Sequence, residues 1–213
     1  MPPLVIEYVL EGHQRGYGYT SPTSGYSDDE LKLIWRSAMP RGQGWSQYEG
    51  ARSLKCFPVG DRRSVAVCET VVTDQHDEHG RGGIRRSVID VLGHWDYLAY
   101  LDQRLLAMPE RLRARVDRLP TLKQRLAITN SLMTHRSDRL VLLHPYRGAE
   151  DWHLMEGLLI KLILSPPGAL KTRSELLAFT TLALSPHDES PLVALPADKA
   201  AMLDRKTPAV HIY

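Results

Sequence analysis

The fold of this chain is decided by a stretch that reads HLMEGLLIKLILSPPGALK at residues 153–171, LLAFTTLAL at 176–184 and PLVALP at 191–196. Its first part is apolar on most sides at a helical period, which predicts a helix over about 150–164 packed against a sheet. Pro166 and Pro167 end this period, and the two later runs predict strands. No nucleophile, metal-ligand set or phosphate loop stands out here, so the pattern favours packing over chemistry.

The composition is that of a globular protein. The chain has 213 residues, of which 43% are hydrophobic and 24% charged, and it is long enough to bury a core. We expect a single adaptor-like domain over residues 1–213. The N-terminus lacks a basic segment followed by an apolar one, and no run is long enough to span a membrane. We therefore expect a cytoplasmic protein without a membrane partner.

Apolar and β-branched runs elsewhere predict the remaining strands. These runs cover residues 4–10, 51–57, 64–73, 84–92 and 139–144, with an edge strand at 208–213. The glycine- and tyrosine-rich residues 11–25 are predicted to form a loop. Together with residues 176–184, the strand at 139–144 and the helix after it predict a β-α-β unit, right-handed if its strands are parallel.

Capping and breaking residues place the other helices. Ser27 and Glu30 have the spacing of a capping box, which predicts a helix from about Asp28 to Met39. Helix-forming residues from 97 to 135 are interrupted near Pro109 and Pro120, so two or three helices are expected there, and a short one at 197–203. The sequence thus predicts an α+β or α/β fold with a mixed β-sheet and several packed helices.

The two cysteines, Cys56 and Cys68, lie in strand-like runs on either side of a turn at 58–61. A hairpin of those runs would bring the sulfurs towards each other. Two buried free thiols are nevertheless the commoner outcome in a cytosolic chain, and we expect that outcome.

Positive charge is concentrated in the basic helical segment at about 97–135. Residues 103–139 hold nine lysines or arginines and three acidic residues. Arg111, Arg115 and Arg118 are spaced to project from one side of a helix, with Leu112, Val116 and Leu119 towards the core. Further basic residues extend this surface: Arg104, Arg113, Lys123 and Arg125. The surface fits an acidic protein partner, nucleic acid or an ordinary solvated helix face.

A second candidate contact surface lies in the loop that follows the first predicted strand. Its candidate residues for binding a protein are His13, Arg15 and Tyr17. The loop also holds Gly12 and Gly16, but no Gly-Lys-Ser/Thr follows them, so turn formation explains these glycines better than phosphate binding.

Two weaker patterns leave an enzymatic alternative open. His153 and Glu156 are three residues apart on a predicted helix, a spacing that allows a general acid/base pair of a hydrolase or phosphodiesterase. The loop at 74–79 contains two histidines, His76 and His79, among the acidic residues Asp74, Asp77 and Glu78, which suits a divalent metal. The polar edge of a buried helix and a solvated loop explain the same residues more simply.

Four stretches resemble the N-terminal domain of bacterial GTPase-associated proteins, which accompany paired GTPases in predicted conflict or defence systems. They are the strand leading into Gly12-His13 and Gly16-Tyr17, the turn into the helix at Asp28-Asp-Glu-Leu, Gly83 before an apolar strand, and LSPPGAL at 164–170 with FTT at 179–181. The resemblance covers most of the chain and contains no catalytic signature. It implies an adaptor or effector-coupling role.

Together these observations predict a non-catalytic adaptor that binds a protein partner within a GTPase-associated bacterial conflict or defence complex and that needs no cofactor. A hydrolase or phosphodiesterase and a nucleic-acid-binding subunit are the alternatives.

Overall fold

A computed structural model of the protein describes residues 3–9, 16–39, 50–60, 64–77, 79–135, 139–165, 178–183, 190–203 and 207–212. Within these ranges the strands are β1 (Leu4–Val9), β2 (Gly16–Tyr19), β3 (Arg52–Val59), β4 (Ser64–Val72), β5 (Arg85–Gly93), β6 (Leu140–His144), β7 (Phe179–Thr180), β8 (Leu192–Pro196) and β9 (Ala209–His211). The helices are α1 (Asp28–Ala38), α2 (His94–Leu106), α3 (Glu110–Asp117), α4 (Leu122–His135), α5 (Ala149–Leu164) and a 3-10 helix at Ala197–Met202.

All of these strands belong to one mixed sheet in the order β2-β1-β5-β4-β3-β7-β8-β6-β9. The first six are joined by antiparallel pairings, and the pairings from β7 to β9 are parallel. The predicted α+β class with a mixed sheet and several packed helices is therefore confirmed. The strand at the C-terminus also lies at the sheet edge, as predicted.

The two faces of the sheet are covered unequally. The four-helix face carries α2, α3, α4 and α5 over one large core that includes Tyr97, Val116, Ile128 and Leu158. On the opposite side, the α1 face packs α1 over β1, β3, β4 and β5, while the 3-10 helix covers β6 and β8. The predicted packing of the helix at about 150–164 against the sheet is confirmed, since Leu158, Leu159 and Leu162 of α5 are buried in the core of the four-helix face.

Helix α1 begins as the sequence predicts. The Ser27 hydroxyl accepts a hydrogen bond from the Glu30 amide at 3.3 Å, and the Ser27 amide donates to the Glu30 carboxylate at 2.8 Å. These bonds satisfy two of the amides that a helix leaves unpaired at its first turn. Hydrogen bonds from Ser27 lower the pKa of the Glu30 carboxyl, which keeps the box intact at neutral pH.

Residues 16–19 form strand β2, so the prediction of a loop over 11–25 is wrong in this part. Tyr17 and Tyr19 point to the α1 face, and Gly16 and Gly18 alternate with them. A run of glycine and tyrosine reads as a loop because glycine disfavours strands. Pairing with β1 and packing of the tyrosine rings against the core outweigh that preference.

The predicted β-α-β unit is present with a modification. In the described part of the chain, β6 is followed by α5 and then by β7. In the sheet, however, β8 lies between β6 and β7 and is parallel to both. Of the strand predicted at 176–184, the structure describes residues 178–183, and within these β7 consists of Phe179 and Thr180. The ladder with β3 changes at Thr181: its amide still donates to the Leu54 carbonyl, but the Leu54 amide donates to the Thr181 hydroxyl.

The two cysteines are free and buried, as expected. Strands β3 and β4 form the predicted hairpin, but Cys56 pairs with Val67 and Cys68 with Lys55. The two thiols are therefore one position out of register and belong to the cores on opposite faces. Burial raises the pKa of Cys68 to about 11, so this thiol stays protonated.

No helix in the described part of the chain is both long and apolar enough to cross a membrane.

Candidate functional site

The candidate surface is the exposed side of α3, which we call the arginine face and define by Arg111, Arg115 and Arg118. Leu112 and Val116 are buried on the other side of the helix, as the spacing predicts. The side chains of Arg111 and Arg115 are 79% and 42% exposed, and Arg118 is exposed at the last turn. The structure thus brings the three predicted residues to one accessible surface.

One carboxylate serves two of these arginines. Glu150, in the first turn of α5, lies 3.5 Å from Nη2 of Arg111 and 3.1 Å from Nη1 of Arg115. All three side chains are largely solvated, and exposed pairs of this kind stabilise proteins by only about 0–1 kcal/mol. The face therefore keeps a net positive charge, and an incoming carboxylate can displace Glu150 at little cost.

Helix α3 is held firmly from below by Lys161 of α5. The Lys161 ammonium donates to the carbonyls of Val116, Asp117 and Leu119 at 2.9–3.0 Å. These carbonyls lie at the C-terminal end of α3, where a helix has unpaired acceptors and partial negative charge. Burial lowers the pKa of Lys161, and Asp117 opposes this shift. The contact fixes the position of the arginine face relative to α5.

The close approach of α3 to α5 requires a glycine at position 157. A Cβ atom added there would lie 2.7 Å from Cγ2 of Val116 and 2.8 Å from the sulfur of Met108. Val116 is fully buried. Gly157 therefore sets the distance between the helix that presents the arginines and the helix that supports it.

Arg104 does not belong to this surface, so its predicted place there is wrong. Its guanidinium donates to Glu156 of α5, to Glu69 of β4 and to the Tyr100 hydroxyl. Only 24% of the side chain is exposed. Two carboxylates in apolar runs, Glu69 and Glu156, were the sequence signal for a buried cation, because a buried charge requires a partner.

Glu156, the proposed acid/base residue, belongs to this cluster around Arg104. Its side chain is 9% exposed and is bound to Arg104. No hydrogen bond joins His153 to Glu156 in the described part of the chain. The structure therefore gives Glu156 a structural role and does not assemble the predicted pair.

The loop at 74–79 is organised around Asp77. One oxygen of this carboxylate accepts the amides of His79 and Arg81, each at 2.9 Å, and the other accepts Nε of Arg81 at 2.7 Å. His76 and His79 are exposed, and Glu78 lies outside the described residues. Among the residues that the structure describes, no three His, Cys, Asp or Glu side chains are grouped to hold a metal ion.

The second predicted contact surface is described only in part. His13 and Arg15 lie outside the described residues. The Tyr17 hydroxyl accepts hydrogen bonds from the amide and Nε of Arg85 at 3.1 and 3.4 Å, and its ring lies edge-on to Tyr8. The Tyr17 side chain is thus engaged with residues of β1 and β5, and the Tyr17 backbone is the part directed outward.

A buried histidine that the sequence interpretation missed lies at the carboxyl ends of the parallel strands, where α/β sheets often bind ligands. His144 donates from Nδ1 to the Ile212 carbonyl at 2.9 Å, and its Nε2 lies 3.2 Å from Asp151 without a well-directed hydrogen bond. Burial opposes ionisation of Asp151, but the Arg147 amide and His144 outweigh it and lower its pKa. The ring ties β6, α5 and the C-terminal strand together, which is a structural role.

No protein-family model matches this chain, and a search of the curated proteins finds no match.

Proposed function

We propose that this protein is a non-catalytic interaction subunit that binds an acidic surface of a partner protein through the arginine face. One observation carries the proposal: three arginines project from a helix that is fixed underneath, and two of them, Arg111 and Arg115, share the carboxylate of Glu150. Such a surface attracts acidic partners over a distance and orients them on arrival.

A protein partner is favoured over nucleic acid by the composition of the surface. Aromatic side chains are not interleaved with the arginines of α3, so the face lacks the stacking platform that single-stranded nucleic acids use. A guanidinium fork is well suited to a partner's carboxylates, because it binds them in a bidentate manner.

The resemblance to the N-terminal domain of bacterial GTPase-associated proteins leads to a narrower hypothesis. On this hypothesis the acidic partner is a GTPase or another subunit of a conflict or defence complex. The hydrolase and phosphodiesterase alternative has less support, since Glu156 and Asp77 are both engaged in internal ion pairs.

The proposal predicts a loss of partner binding without a loss of stability when the charge of the face is reversed. In the Arg111→Glu, Arg115→Glu double variant, three carboxylates replace two cations and one carboxylate, so an acidic partner is repelled. We expect at least tenfold less partner in pull-downs from host lysate, with the melting temperature within about 2 °C, since exposed substitutions rarely shift stability by more than about 0.5 kcal/mol.

The control carries the same charge change at two exposed cations outside α3, in the variant Arg81→Glu, Arg86→Glu. It should recover the partner as the unmodified protein does. Equal recovery by the double arginine variant would contradict the proposal. Loss of the partner on nuclease treatment of the unmodified complex would instead support nucleic-acid binding.

A further inference from the structure

A groove between α1 and the edge strand β2 is the strongest unexplained feature of the α1 face. An open pocket of about 680 Å³ lies there, with one wall formed by α1 and the other by Tyr19 of β2. Its apolar lining consists of Tyr19, Leu31, Trp35 and Met39. A pocket of this volume has room for a large apolar side chain.

The pocket walls are held in place by contacts inside the chain. The Tyr19 hydroxyl donates to the Leu31 carbonyl at 2.8 Å, and the Tyr19 ring meets Trp35 edge-on with 5.4 Å between centroids. Burial raises the pKa of Tyr19 to about 12, so the hydroxyl remains a donor at neutral pH. The groove therefore exists before any ligand arrives, which reduces the entropic cost of binding.

Strand β2 offers backbone hydrogen-bonding groups along this groove. It is the last strand of the sheet, with β1 as its single neighbour among the described strands. The Thr20 amide donates to the Val5 carbonyl at 2.9 Å, and Gly18 is in register with Glu7. In an antiparallel pair, alternate residues bond to the neighbour, so the amides and carbonyls of Tyr17 and Tyr19 point away from β1.

The alternation of residues along β2 also places the outward backbone groups of this strand beside the pocket. Tyr17 and Tyr19 direct their side chains to the α1 face, and a strand added next to β2 would place every second side chain on that face. The side chain opposite Tyr19 would then lie beside the pocket. A backbone edge and a side-chain pocket with this relation are the two elements of recognition by strand addition.

The charges at the rim indicate which peptide fits. Lys32 and Arg36 are one turn apart on α1 and line the pocket with Asp28. Lys32 has an exposed partner, Asp29, at 3.6 Å, and Arg36 has no ion pair with any residue that the structure describes. Among the charged residues that line the pocket, two are cations and one is a carboxylate, and the guanidinium of Arg36 lies beside the aromatic and aliphatic lining without an ion pair to a described residue.

We propose that this groove binds an extended peptide segment of a partner protein, which adds to β2 as a further strand. The segment places an aromatic or large aliphatic side chain in the pocket and an aspartate or glutamate against Lys32 and Arg36. The backbone of Tyr17 and Tyr19 supplies the hydrogen bonds. This site is separate from the arginine face, and the inference does not depend on the function proposed for that face.

The first test selects the peptide from a random library. Ten-residue peptides of random sequence displayed on phage are selected on the purified full-length chain, with the Lys32→Glu, Arg36→Glu variant as the counter-selection. We expect enrichment of peptides in which an aromatic or large aliphatic residue lies within three positions of a carboxylate. If no peptide sequence is enriched on the unmodified chain relative to the variant, the proposal is overturned.

The second test uses the selected peptide, labelled with fluorescein, to detect strand addition. Single N-methylation removes one amide donor at a time and blocks close approach of the backbone. Affinity should fall about tenfold at every second position and change little at the positions between, because only alternate amides face β2. Equal sensitivity at neighbouring positions would rule out a strand.

The third test locates the peptide and checks its charge preference. In amide NMR spectra, the largest shifts on titration should belong to Tyr17, Tyr19 and the residues of α1. The Lys32→Glu, Arg36→Glu variant should bind roughly fivefold more weakly. The matched control Arg111→Glu, Arg115→Glu should bind as the unmodified chain does.

Each contrary outcome in the third test is decisive. Shifts centred on α3, or weaker binding by the arginine-face control, would assign the peptide to the arginine face. A concentration-dependent dimer whose formation involves the same amides would show that β2 pairs with a second copy of the chain, and it would overturn the proposal of a peptide ligand.

Discussion

The two faces of the sheet treat buried polar groups in opposite ways. The four-helix face holds a cluster of charges, in which Arg104 of α2 bridges Glu69 of β4 and the buried Glu156 of α5. The α1 face encloses neutral hydroxyls, of which Thr70 and Ser87 bond to each other at 2.8 Å. A charge excluded from water needs a fixed partner, whereas a hydroxyl pair adapts more easily.

The four-helix face is rigid, whereas the α1 face has an open groove. On the four-helix face, the ion pairs, Gly157 and Lys161 fix three helices against each other and leave the arginines on a firm base. On the α1 face, one short helix covers the antiparallel strands, and its side towards β2 remains open as the groove. The two faces therefore suit different kinds of contact, a charged surface on one and an extended peptide on the other.

The largest expected effect tests the charged cluster. Glu156→Ala removes the more deeply buried partner of Arg104 and leaves this cation with the more exposed Glu69 as its remaining carboxylate, at a cost of about 3 kcal/mol in unfolding free energy. Burial disfavours the charge of Arg104, but Glu156 overcomes this and raises its pKa. Urea unfolding measures the loss.

The matched control for this cluster is Glu69→Ala, because the Glu69 side chain is 43% exposed and the Glu156 side chain 9%. We expect a cost of about 1 kcal/mol for this exposed partner. Equal losses for the two variants would show that the cluster is solvated and that the faces do not differ in this way.

The next effect tests the helix spacing of the four-helix face. Gly157→Ala forces a methyl group against Val116, and overpacking of this kind costs about 1–3 kcal/mol. Thermal unfolding of Gly18→Ala provides the comparison, since nothing lies within 4 Å of a Cβ at that position. A Gly157→Ala protein as stable as Gly18→Ala would mean that α3 and α5 are less tightly packed than the structure shows.

A smaller effect is expected for the cap of α1. Ser27→Ala removes the side-chain bond to the Glu30 amide and should destabilise the protein by about 1 kcal/mol. Ser24→Ala, an exposed turn position just before the helix, should have no measurable effect. If the two variants melt alike, α1 is held by its apolar side alone.

The smallest expected effect is on the stability of the protein at acid pH. The folded-state pKa of Asp151 is lowered, so its contribution to stability is present above its unfolded pKa and is lost as the pH falls through the folded value. Asp151→Asn should therefore be less stable than the unmodified protein at pH 7 and should show a shallower decline between about pH 5 and pH 2. Parallel pH curves for the two proteins would contradict this role.

The antiparallel part of the fold could be predicted from sequence because its signals are local. The run before Pro58 and the run from Ser64 predict a hairpin, and the Ser27–Glu30 box marks the start of α1. Strand β2 escaped prediction since its glycines disfavour strands, and only the tyrosine packing against α1 compensates for them.

The candidate site was predictable to a similar degree. The spacing of Arg111, Arg115 and Arg118 on a helix with apolar residues between them fixes a common side, so the arginine face follows from periodicity. The position of Arg104 away from that surface could not be predicted from periodicity, because its partners Glu69 and Glu156 are 35 and 52 positions away in the chain.

By itself, therefore, the sequence determined the elements of this protein: the fold class, most of the strands, the bounds of α1 and α5 and the side of α3 that carries charge. These features depend on neighbours within a turn or a hairpin. The tertiary structure alone decided the insertion of β8 between β6 and β7, the opposite faces of Cys56 and Cys68, the pairing of Arg104 and the groove between α1 and β2. Each of these results from contacts between distant segments, whose free energy depends on sheet order and helix packing and leaves no periodic signal in the chain.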